Sequence, residues 1–245
     1  MKIFGKLPSR IEAIVIDIDG TVYEKESLFL KERTKREYKW LAERLGVSEK
    51  EIEKVIKERK RMLKKALKRE ERISLSETVF SFGIKSKEWN RIREESLPCP
   101  ALYLSFLAPL KTVLIQLLKN KIKIFWATNS SRKIGEEILK VVVGKEITKS
   151  TKIIGQEKEL AKPNPEFFKR LVLPELEREK VKLEKTVAVG DKEDDDGKCP
   201  IKAGFPASIV IEGPDELIKV LNFLLNKISK KGGRKYDQSQ PSRAY

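Results

Sequence analysis

The stretch Ile14–Val22, with the sequence IVIDIDGTV, decides the fold of this chain. Five of its nine residues are β-branched and apolar, which predicts a short buried strand. Asp17 and Asp19 stand two residues apart at the end of this strand, where an apolar strand has no structural use for carboxylates. Because open α/β sheets bind ligands outside the carboxyl ends of their strands, the segment predicts a ligand site. The alternative explanation is a polar turn built on Asp-Gly-Thr.

The bulk composition favours a folded protein with anionic partners. The 245 residues suffice for one large domain or two smaller ones, and 40% apolar residues support a core. Charged residues make up 37%, mostly Lys and Glu, a composition like that of heat-adapted surfaces. The net charge of +16 favours phosphorylated metabolites, nucleotides or nucleic acid as partners.

The residue inventory restricts the chemistry. The chain contains no histidine, which excludes histidine general bases, Ser-His-Asp triads and His-ligated metals. Cys99 and Cys199 are too few for a disulfide framework or a zinc site. Catalysis would therefore use carboxylates, lysines or hydroxyls with an oxygen-ligated metal such as Mg²⁺. The first residues lack an apolar signal core, and the apolar stretch Ala101–Leu118 is interrupted by charge. We expect a cytoplasmic protein that contacts no membrane.

Apolar runs and helical stretches alternate along the rest of the chain. Four further strands are predicted at Ile122–Ala127, Thr151–Ile154, Thr186–Val189 and Ala207–Ile211. This alternation indicates an α/β fold with a parallel sheet and right-handed crossovers. An all-helical block at about 28–96 is the exception, and it predicts a second domain inserted after the first strand. The polar, basic tail at 229–245 is expected to be disordered.

Polar residues follow four of the five predicted strands. They are Asp17 with Asp19, Thr128 with Asn129, Lys162 in AKPNP, and Asp191 with the acidic run at 193–196. Taken alone, the second segment could be a helix N-cap, the third a turn and the fourth a solvated face. Together, and in this order, they favour a single site, because the carboxyl ends of parallel strands meet at one edge.

Two carboxylates at such a site suit phosphoryl transfer. A carboxylate is a competent nucleophile toward phosphorus and forms an aspartyl phosphate. A second carboxylate can protonate the leaving alcohol and later activate a water molecule. A hydroxyl, an amide, a lysine and Mg²⁺ can stabilise the charge of the transition state. Asp17 and Asp191 offer the oxygen ligands that Mg²⁺ requires.

The segments DIDGT, ATNSS, AKPNP and VGDKEDDD resemble, in order, the four motifs of the haloacid dehalogenase superfamily. The helical block stands where that superfamily carries its helical C1 cap. The resemblance implies a Rossmann-like parallel sheet of strand order 5-4-1-2-3 with an inserted all-helical cap. It further implies a core of residues 1–22 and 100–228 and a cap of residues 23–99.

The resemblance also implies roles for five residues. Asp17 would be the nucleophile and Asp19 the general acid/base. Thr128 would hold the phosphoryl group, with Asn129 beside it as a substrate-binding residue. Lys162 would bind the phosphate and neutralise charge between it and the nucleophile.

A Mg²⁺ ion is the cofactor that the resemblance implies. Its ligands would be Asp17, the backbone carbonyl of Asp19, Asp191 and a second acid of the fourth motif. Both Asp195 and Asp196 fit the spacing of that second acid. The distance to the end of the following helix slightly favours Asp196.

The acid at Asp19 narrows the activity. Family dehalogenases and phosphonatases generally lack an acid there, so a phosphatase is expected, with a phosphomutase as the alternative. The substrate would be a small phosphomonoester, either a phosphometabolite or a nucleotide. The segment Lys31–Arg72 holds 17 basic and 9 acidic residues, either as a solvated face or as a funnel for anions. A nucleic-acid-binding or end-processing protein on the same scaffold is a further alternative, and the oligomeric state stays open.

Overall fold

The structure is a computed structural model and describes residues 1–232. Its sheet runs in the order β1-β6-β5-β2-β3-β4, and all neighbours are parallel except β1 and β6. The strands are β1 (Lys2–Gly5), β2 (Ala13–Ile16), β3 (Lys123–Ala127), β4 (Lys152–Ile154), β5 (Thr186–Gly190) and β6 (Ala207–Val210).

The five strands expected from the sequence are β2 to β6, and their predicted order 5-4-1-2-3 is confirmed. The sequence did not predict β1, which pairs antiparallel with β6 through Lys2–Val210 and Gly5–Ala207. Its four residues are mostly exposed, so β1 lacks the apolar pattern by which a strand is recognised. The sheet is therefore mixed, with one antiparallel strand at its edge.

Eleven α-helical segments surround or cap the sheet within the described residues. They are α1 (Leu28–Leu45), α2 (Ile52–Ala66), α3 (Leu75–Ser81), α4 (Ser86–Glu95), α5 (Ala108–Lys119), α6 (Arg132–Val142), α7 (Lys145–Lys149), α8 (Pro165–Phe167), α9 (Leu173–Arg178), α10 (Cys199–Lys202) and α11 (Pro214–Gly232). Two π-helical turns, Phe168–Val172 and Glu193–Lys198, precede α9 and α10.

Two apolar layers sandwich the sheet. Along β2, Ile14 and Ile16 belong to a cluster with α5, α6 and α11, whereas Ala13 and Val15 belong to a cluster with α8 to α10. The alternation follows from the two-residue period of a strand. Every residue of β2 is buried because β3 and β5 flank it on both sides. This burial on both faces explains the continuous apolar run in its sequence.

The helical insert comprises α1 to α4 and lies between β2 and α5 in the chain. It has an apolar cluster of its own, centred on Leu41, Ile56, Val79 and Trp89. The predicted limits of this insert as a domain, 23–99, remain a prediction. The predicted tail at 229–245 lies outside the described residues from position 233 onward, and α11 continues to Gly232.

Candidate active site

The carboxyl edge of the parallel strands brings the predicted residues together. Asp17 follows β2, Thr128 follows β3, and Asp191 follows β5. Lys162 comes from the loop between β4 and α8, and its side chain is only 2% exposed. Asp17 and Asp191 are each 5% exposed, so the site is enclosed in this structure.

Lys162 joins two carboxylates at the centre of the site. Its Nζ donates to Oδ1 of Asp17 and to Oδ1 of Asp196, each at 2.6 Å, and to the carbonyl oxygen of Ala127 at 3.0 Å. The other oxygen of Asp196, Oδ2, accepts from the backbone N–H of Lys192 at 3.1 Å. These bonds hold both acids in fixed positions around one ammonium group.

Asp191 completes a group of three carboxylates. One oxygen from each of Asp17, Asp191 and Asp196 lies within 4.8 Å of the others. Among the described residues, Oδ2 of Asp191 is buried and has no hydrogen-bond partner, although Nζ of Lys25 approaches it at 3.4 Å. A buried carboxylate oxygen without a hydrogen bond is costly, and an oxygen-only donor set suits a hard cation. The three residues therefore fit Mg²⁺.

Burial governs the protonation of this acidic group. Burial raises the pKa of Asp17 well above its usual value, the charge of Lys162 opposes that rise, and Asp196 adds to it. Burial likewise raises the pKa of Asp196, again against Lys162. Burial alone would lower the pKa of Lys162, but Asp17 and Asp196 outweigh it and raise that pKa. Lys162, 2% exposed, pairs with two of the three carboxylates, whereas the lysines that approach the third, Asp191, are 36–41% exposed.

Two further lysines flank the acidic group from its more exposed side. Nζ of Lys192 lies 3.3 Å from the backbone oxygen of Asp19 and 3.4 Å from Oδ1 of Asp191. Nζ of Lys25 lies 3.2 Å from the backbone oxygen of Asp191. The backbone carbonyl of Asp19 is the one that the resemblance assigns to Mg²⁺, so Lys192 contacts two of the expected ligand groups. The sequence did not single out either lysine.

Asp19 has a different environment from Asp17. Its Oδ1 accepts from Tyr23 at 2.5 Å and from Nη1 of Arg33 at 2.9 Å, and its Oδ2 accepts from Ser130 at 2.9 Å and Thr128 at 3.3 Å. Burial alone would raise the pKa of Asp19, but Arg33 and the Tyr23 hydroxyl outweigh it and hold that pKa at about 2. Asp19 is therefore ionised in this enclosed state.

The side chain of Asn129 forms hydrogen bonds with the backbone of Lys162. Its Oδ1 accepts from the backbone N–H of Lys162 at 2.7 Å, and its Nδ2 donates to the backbone oxygen of Lys162 at 2.9 Å. The side chain predicted to bind substrate thus fixes the loop that presents Lys162. Thr128 is fully buried, and its hydroxyl also accepts from the backbone N–H of Ser130 at 3.0 Å.

The acidic run at 193–196 divides into exposed and buried members. Asp196 belongs to the three-carboxylate group, whereas Asp195 forms a two-pronged ion pair with Arg72, from the loop between α2 and α3. Asp194 accepts from the backbone N–H of Arg72 at 2.9 Å, and Glu193 pairs with Lys2 at the surface. The two candidates for the second acid of the fourth motif are therefore far from equivalent, and Asp196 is the one beside Asp17.

Glycine permits the close approach of Asp196 to the sheet. A Cβ atom built on Gly190 would stand 2.4 Å from Cγ of Asp196. No real Cβ tolerates such a contact, so any larger residue at position 190 would displace the carboxylate.

A family model of haloacid dehalogenase-like hydrolases matches residues 11–204, a range that includes every residue of the site described above. This chain belongs to that family. The expectation of a phosphoric monoester hydrolase is confirmed at the level of the family, most of whose members are phosphatases. A comparison with curated proteins finds no match.

Solved structures similar to this hydrolase share its fold. A HAD phosphatase from Thermococcus onnurineus is 20% identical, with 86% of this chain and 98% of that chain covered and a TM-score of 0.53. CbbY from Rhodobacter sphaeroides, in complex with phosphate, is 18% identical over 79% and 82%, with a TM-score of 0.50. A haloacid dehalogenase-like hydrolase from Xanthomonas campestris is 10% identical over 93% and 100%, with a TM-score of 0.51. None of these relatives is described as acting on nucleic acid. Within residues 1–232, no helix combines the length and apolarity needed to cross a membrane.

The hydrolase contains a second buried ionic cluster that sequence reasoning missed. Glu37 on α1 accepts through Oε1 from Arg33 at 2.9 Å and from Arg93 of α4 at 2.8 Å. Both arginines also donate to Oγ of Ser130, at 2.8 and 3.2 Å, and Arg93 donates to the backbone oxygen of Asn129 at 2.8 Å. We call Arg33, Glu37, Arg93 and Ser130, together with Asp19, the seam cluster, because it joins the helical insert to the core.

Proposed function

We propose that this hydrolase is a Mg²⁺-dependent phosphatase that cleaves a small phosphomonoester through an aspartyl phosphate at Asp17. The observation that carries the proposal is the pairing of Lys162 with both Asp17 and Asp196, beside a buried oxygen of Asp191 that has no hydrogen bond. Asp17, Asp191 and Asp196, with the backbone carbonyl of Asp19, would hold the Mg²⁺ ion. When bound, the ion would add positive charge beside the three carboxylates and polarise a phosphoryl oxygen.

Asp17 supplies the nucleophile in this proposal. Lys162 holds one carboxylate oxygen, Oδ1, and the hydroxyl of Thr21 donates to the other at 3.2 Å. The carboxylate is thus oriented before substrate arrives, which reduces the entropic cost of attack on phosphorus. Attack forms the bond from an Asp17 oxygen to phosphorus and breaks the bond from phosphorus to the leaving alcohol.

Asp19 is the proposed general acid/base. It lies two residues after Asp17 and faces the hydroxyls of Thr128 and Ser130. To act as the acid, Asp19 must first gain a proton, which requires Arg33 and Tyr23 to move away because they hold its pKa at about 2. That proton then goes to the leaving oxygen, and in the second half-reaction Asp19 takes a proton from the water that hydrolyses the aspartyl phosphate. Lys162 and Thr128 stabilise the negative charge that spreads over the phosphoryl oxygens.

The helical insert is proposed to act as a cap. It contributes Arg33, Arg93 and Arg72 to contacts with the core, and the nucleophile beneath is 5% exposed. Substrate access to Asp17 therefore requires these contacts to separate. The identity of the substrate beyond a small phosphomonoester lies with residues of the insert and the adjoining loops.

Phosphate release from a panel of phosphometabolites and nucleotides tests the proposal. We expect release that requires Mg²⁺, is abolished by EDTA, and falls by about 10⁴-fold or more in Asp17→Asn, because an amide is a poor nucleophile. Asp215→Asn makes the same change at an exposed acid and should leave release unchanged. Activity retained in Asp17→Asn would exclude the covalent mechanism. Conversion of a sugar phosphate to its isomer, without phosphate release, would instead identify the phosphomutase.

A further inference from the structure

Two amide side chains at the insert–core boundary have hydrogen-bonding capacity that the described residues do not use. Gln156 follows β4 and is 1% exposed, yet neither its Nε2 nor its Oε1 has a hydrogen-bond partner in that part of the chain. Oδ1 of Asn90, on α4, is likewise buried without a partner. Leaving such atoms unpaired is costly, and native proteins rarely do so without a reason.

These two residues touch each other and the seam cluster. Nδ2 of Asn90 donates to the backbone oxygen of Gln156 at 3.0 Å. The backbone N–H of Gln156 donates to the backbone oxygen of Ser130 at 2.7 Å, and the hydroxyl of Ser130 donates to Oδ2 of Asp19 at 2.9 Å. The backbone of Gln156 is therefore two hydrogen-bonded steps from the proposed general acid, and the amide of Asn90 is bonded to the same backbone. The leaving group must lie beside that acid in order to receive its proton.

The chemistry of the surroundings restricts what the amides can recognise. Arg33 and Arg93 are already paired with Asp19 and Glu37. The groups here that are still able to form hydrogen bonds are therefore neutral amides rather than cations. Trp89, next to Asn90, is fully buried, and the guanidinium of Arg93 covers its ring at 5.2 Å. That ring therefore offers no face on which a base could stack. Neutral amides, which both donate and accept, match hydroxyl groups.

We propose that Asn90 and Gln156 form the specificity site for the leaving group and select a phosphomonoester whose alcohol part carries several hydroxyls. This proposal rests on the phosphatase function proposed above. In it, substrate hydroxyls replace the missing partners of Oδ1 of Asn90 and of the Gln156 amide. An alkyl ester of the same length leaves these groups unpaired, and a site built for hydroxyls rejects such an analogue.

Matched ester pairs test the proposal. Glucitol 6-phosphate is compared with n-hexyl phosphate, and glycerol 3-phosphate with n-propyl phosphate, with Mg²⁺ present. We expect the hydroxylated member of at least one pair to have a kcat/KM at least about tenfold higher. Gln156→Leu and Asn90→Leu should each lower kcat/KM for the hydroxylated ester about tenfold and change that of the alkyl ester less than threefold. Gln116→Leu makes the same change at an exposed position of α5 and should alter neither.

Three outcomes would overturn the proposal. They are equal rates for the two members of both pairs in the unaltered protein, an equal loss for both esters in the variants, and no loss in the variants. The midpoint of denaturant unfolding of Gln156→Leu should not fall, because the substitution removes an unpaired buried amide. A clear fall would mean that ordered water already satisfies the amide, and would also count against the proposal.

A binding measurement separates this proposal from the proposed function. Calorimetric titration of Asp17→Asn with each ester measures the binding affinity in the absence of turnover. If no ester is hydrolysed by the unaltered protein but the hydroxylated ester still binds more tightly, the phosphatase function fails and the specificity site stands. If the esters are hydrolysed but Asp17→Asn binds both members of each pair equally, the specificity site fails and the phosphatase function stands.

Discussion

The two buried ionic clusters of this hydrolase differ in how deeply their cations are buried. In the acidic group, Lys162 pairs with Asp17 and Asp196 and is 2% exposed, whereas Lys25 and Lys192, which approach Asp191, are 41% and 36% exposed. In the seam cluster, two arginines face two carboxylates and share the hydroxyl of Ser130. The balanced cluster needs nothing from solution and joins two parts of the chain. In the acidic group, by contrast, only two of the three carboxylates have a deeply buried cationic partner among the described residues, and Asp191 can take a cation from solution, as a metal-assisted site requires.

The largest effect is expected from removal of the Lys162 ammonium, which is 2% exposed. Lys162→Met leaves Asp17 and Asp196 without their shared partner, so we expect turnover to fall about 10²–10³-fold. The free energy of unfolding without metal should fall by about 3–5 kcal/mol. Added Mg²⁺ should restore stability by about 2.7 kcal/mol at a hundredfold excess over its Kd, because it replaces the lost positive charge. Denaturant unfolding with Mg²⁺ and with EDTA measures the difference.

Lys169→Met is the matched control for that experiment, because Lys169 is 48% exposed and its ionic partner among the described residues is Glu166, at 3.3 Å. We expect its stability and turnover to match those of the unaltered protein. If Mg²⁺ stabilised neither Lys162→Met nor the control against unfolding, the acidic group would not be the cation site.

Breaking the balanced cluster should have a large effect that no cation repairs. Arg33→Met removes the partner that Asp19 and Glu37 share, and we expect the free energy of unfolding to fall by about 3–5 kcal/mol with and without Mg²⁺. Arg36→Met is the control on the same helix, because its pair with Glu32 is exposed and contributes about 0–1 kcal/mol. Recovery of Arg33→Met by Mg²⁺ would contradict the division into two clusters.

The pH dependence of turnover tests the proposed roles of Asp17 and the metal site without a substitution. Burial raises the pKa of Asp17, and only its ionised form can attack phosphorus, so kcat/KM should fall as pH drops through that raised pKa. Mg²⁺ favours the ionised form, and a tenfold higher subsaturating concentration should therefore move the acid limb down by up to about one pH unit. Profiles at two Mg²⁺ concentrations measure the shift. If the acid limb does not move with Mg²⁺ concentration, the ionisation that it reports belongs to a group outside the metal site.

The smallest expected effect concerns the second contact between insert and core. Arg72 is 39% exposed, so solvent screens its pair with Asp195 more than it screens the seam cluster. We expect Arg72→Met to lower the free energy of unfolding by about 1 kcal/mol and to leave Mg²⁺ affinity within threefold. Titration calorimetry and denaturant unfolding check both values. A tenfold loss of Mg²⁺ affinity would mean that Asp195, through Arg72, positions the neighbouring Asp196.

The acidic group could be predicted from the sequence because most of its residues stand next to segments that are recognisable as strands. Asp17, Thr128 and Asp191 each follow an apolar strand directly, so the strand pattern alone places them at one edge of the sheet. Lys162 lies in the loop that follows β4 rather than directly at the strand end, so the strand pattern places it less closely, and its role came from the resemblance of AKPNP. The order of β2 to β6 in the sheet came from the resemblance to the family and not from the strand pattern.

The seam cluster could not be predicted, because its local pattern is not unique. Arg33 pairs with Glu37 and Arg36 with Glu32, both at a spacing of four residues on α1. The first pair is buried and the second exposed, and the difference depends only on which face of the helix meets the core. Among the 17 basic residues of the segment Lys31–Arg72, nothing in the sequence marks Arg33. The choice between Asp195 and Asp196 was open for a similar reason, because a π-helical turn sets their directions.

The contact between Gly190 and Asp196 means that the main chain of β5 limits where the carboxylate of Asp196 can lie in the proposed metal site. The carboxylate keeps its position because nothing projects from the strand beneath it. A single methyl group, introduced by Gly190→Ala, would act as a wedge that alters the shape of the site without changing any charge. A substitution at position 190 therefore changes the geometry of the proposed metal site while leaving its carboxylate ligands in the sequence.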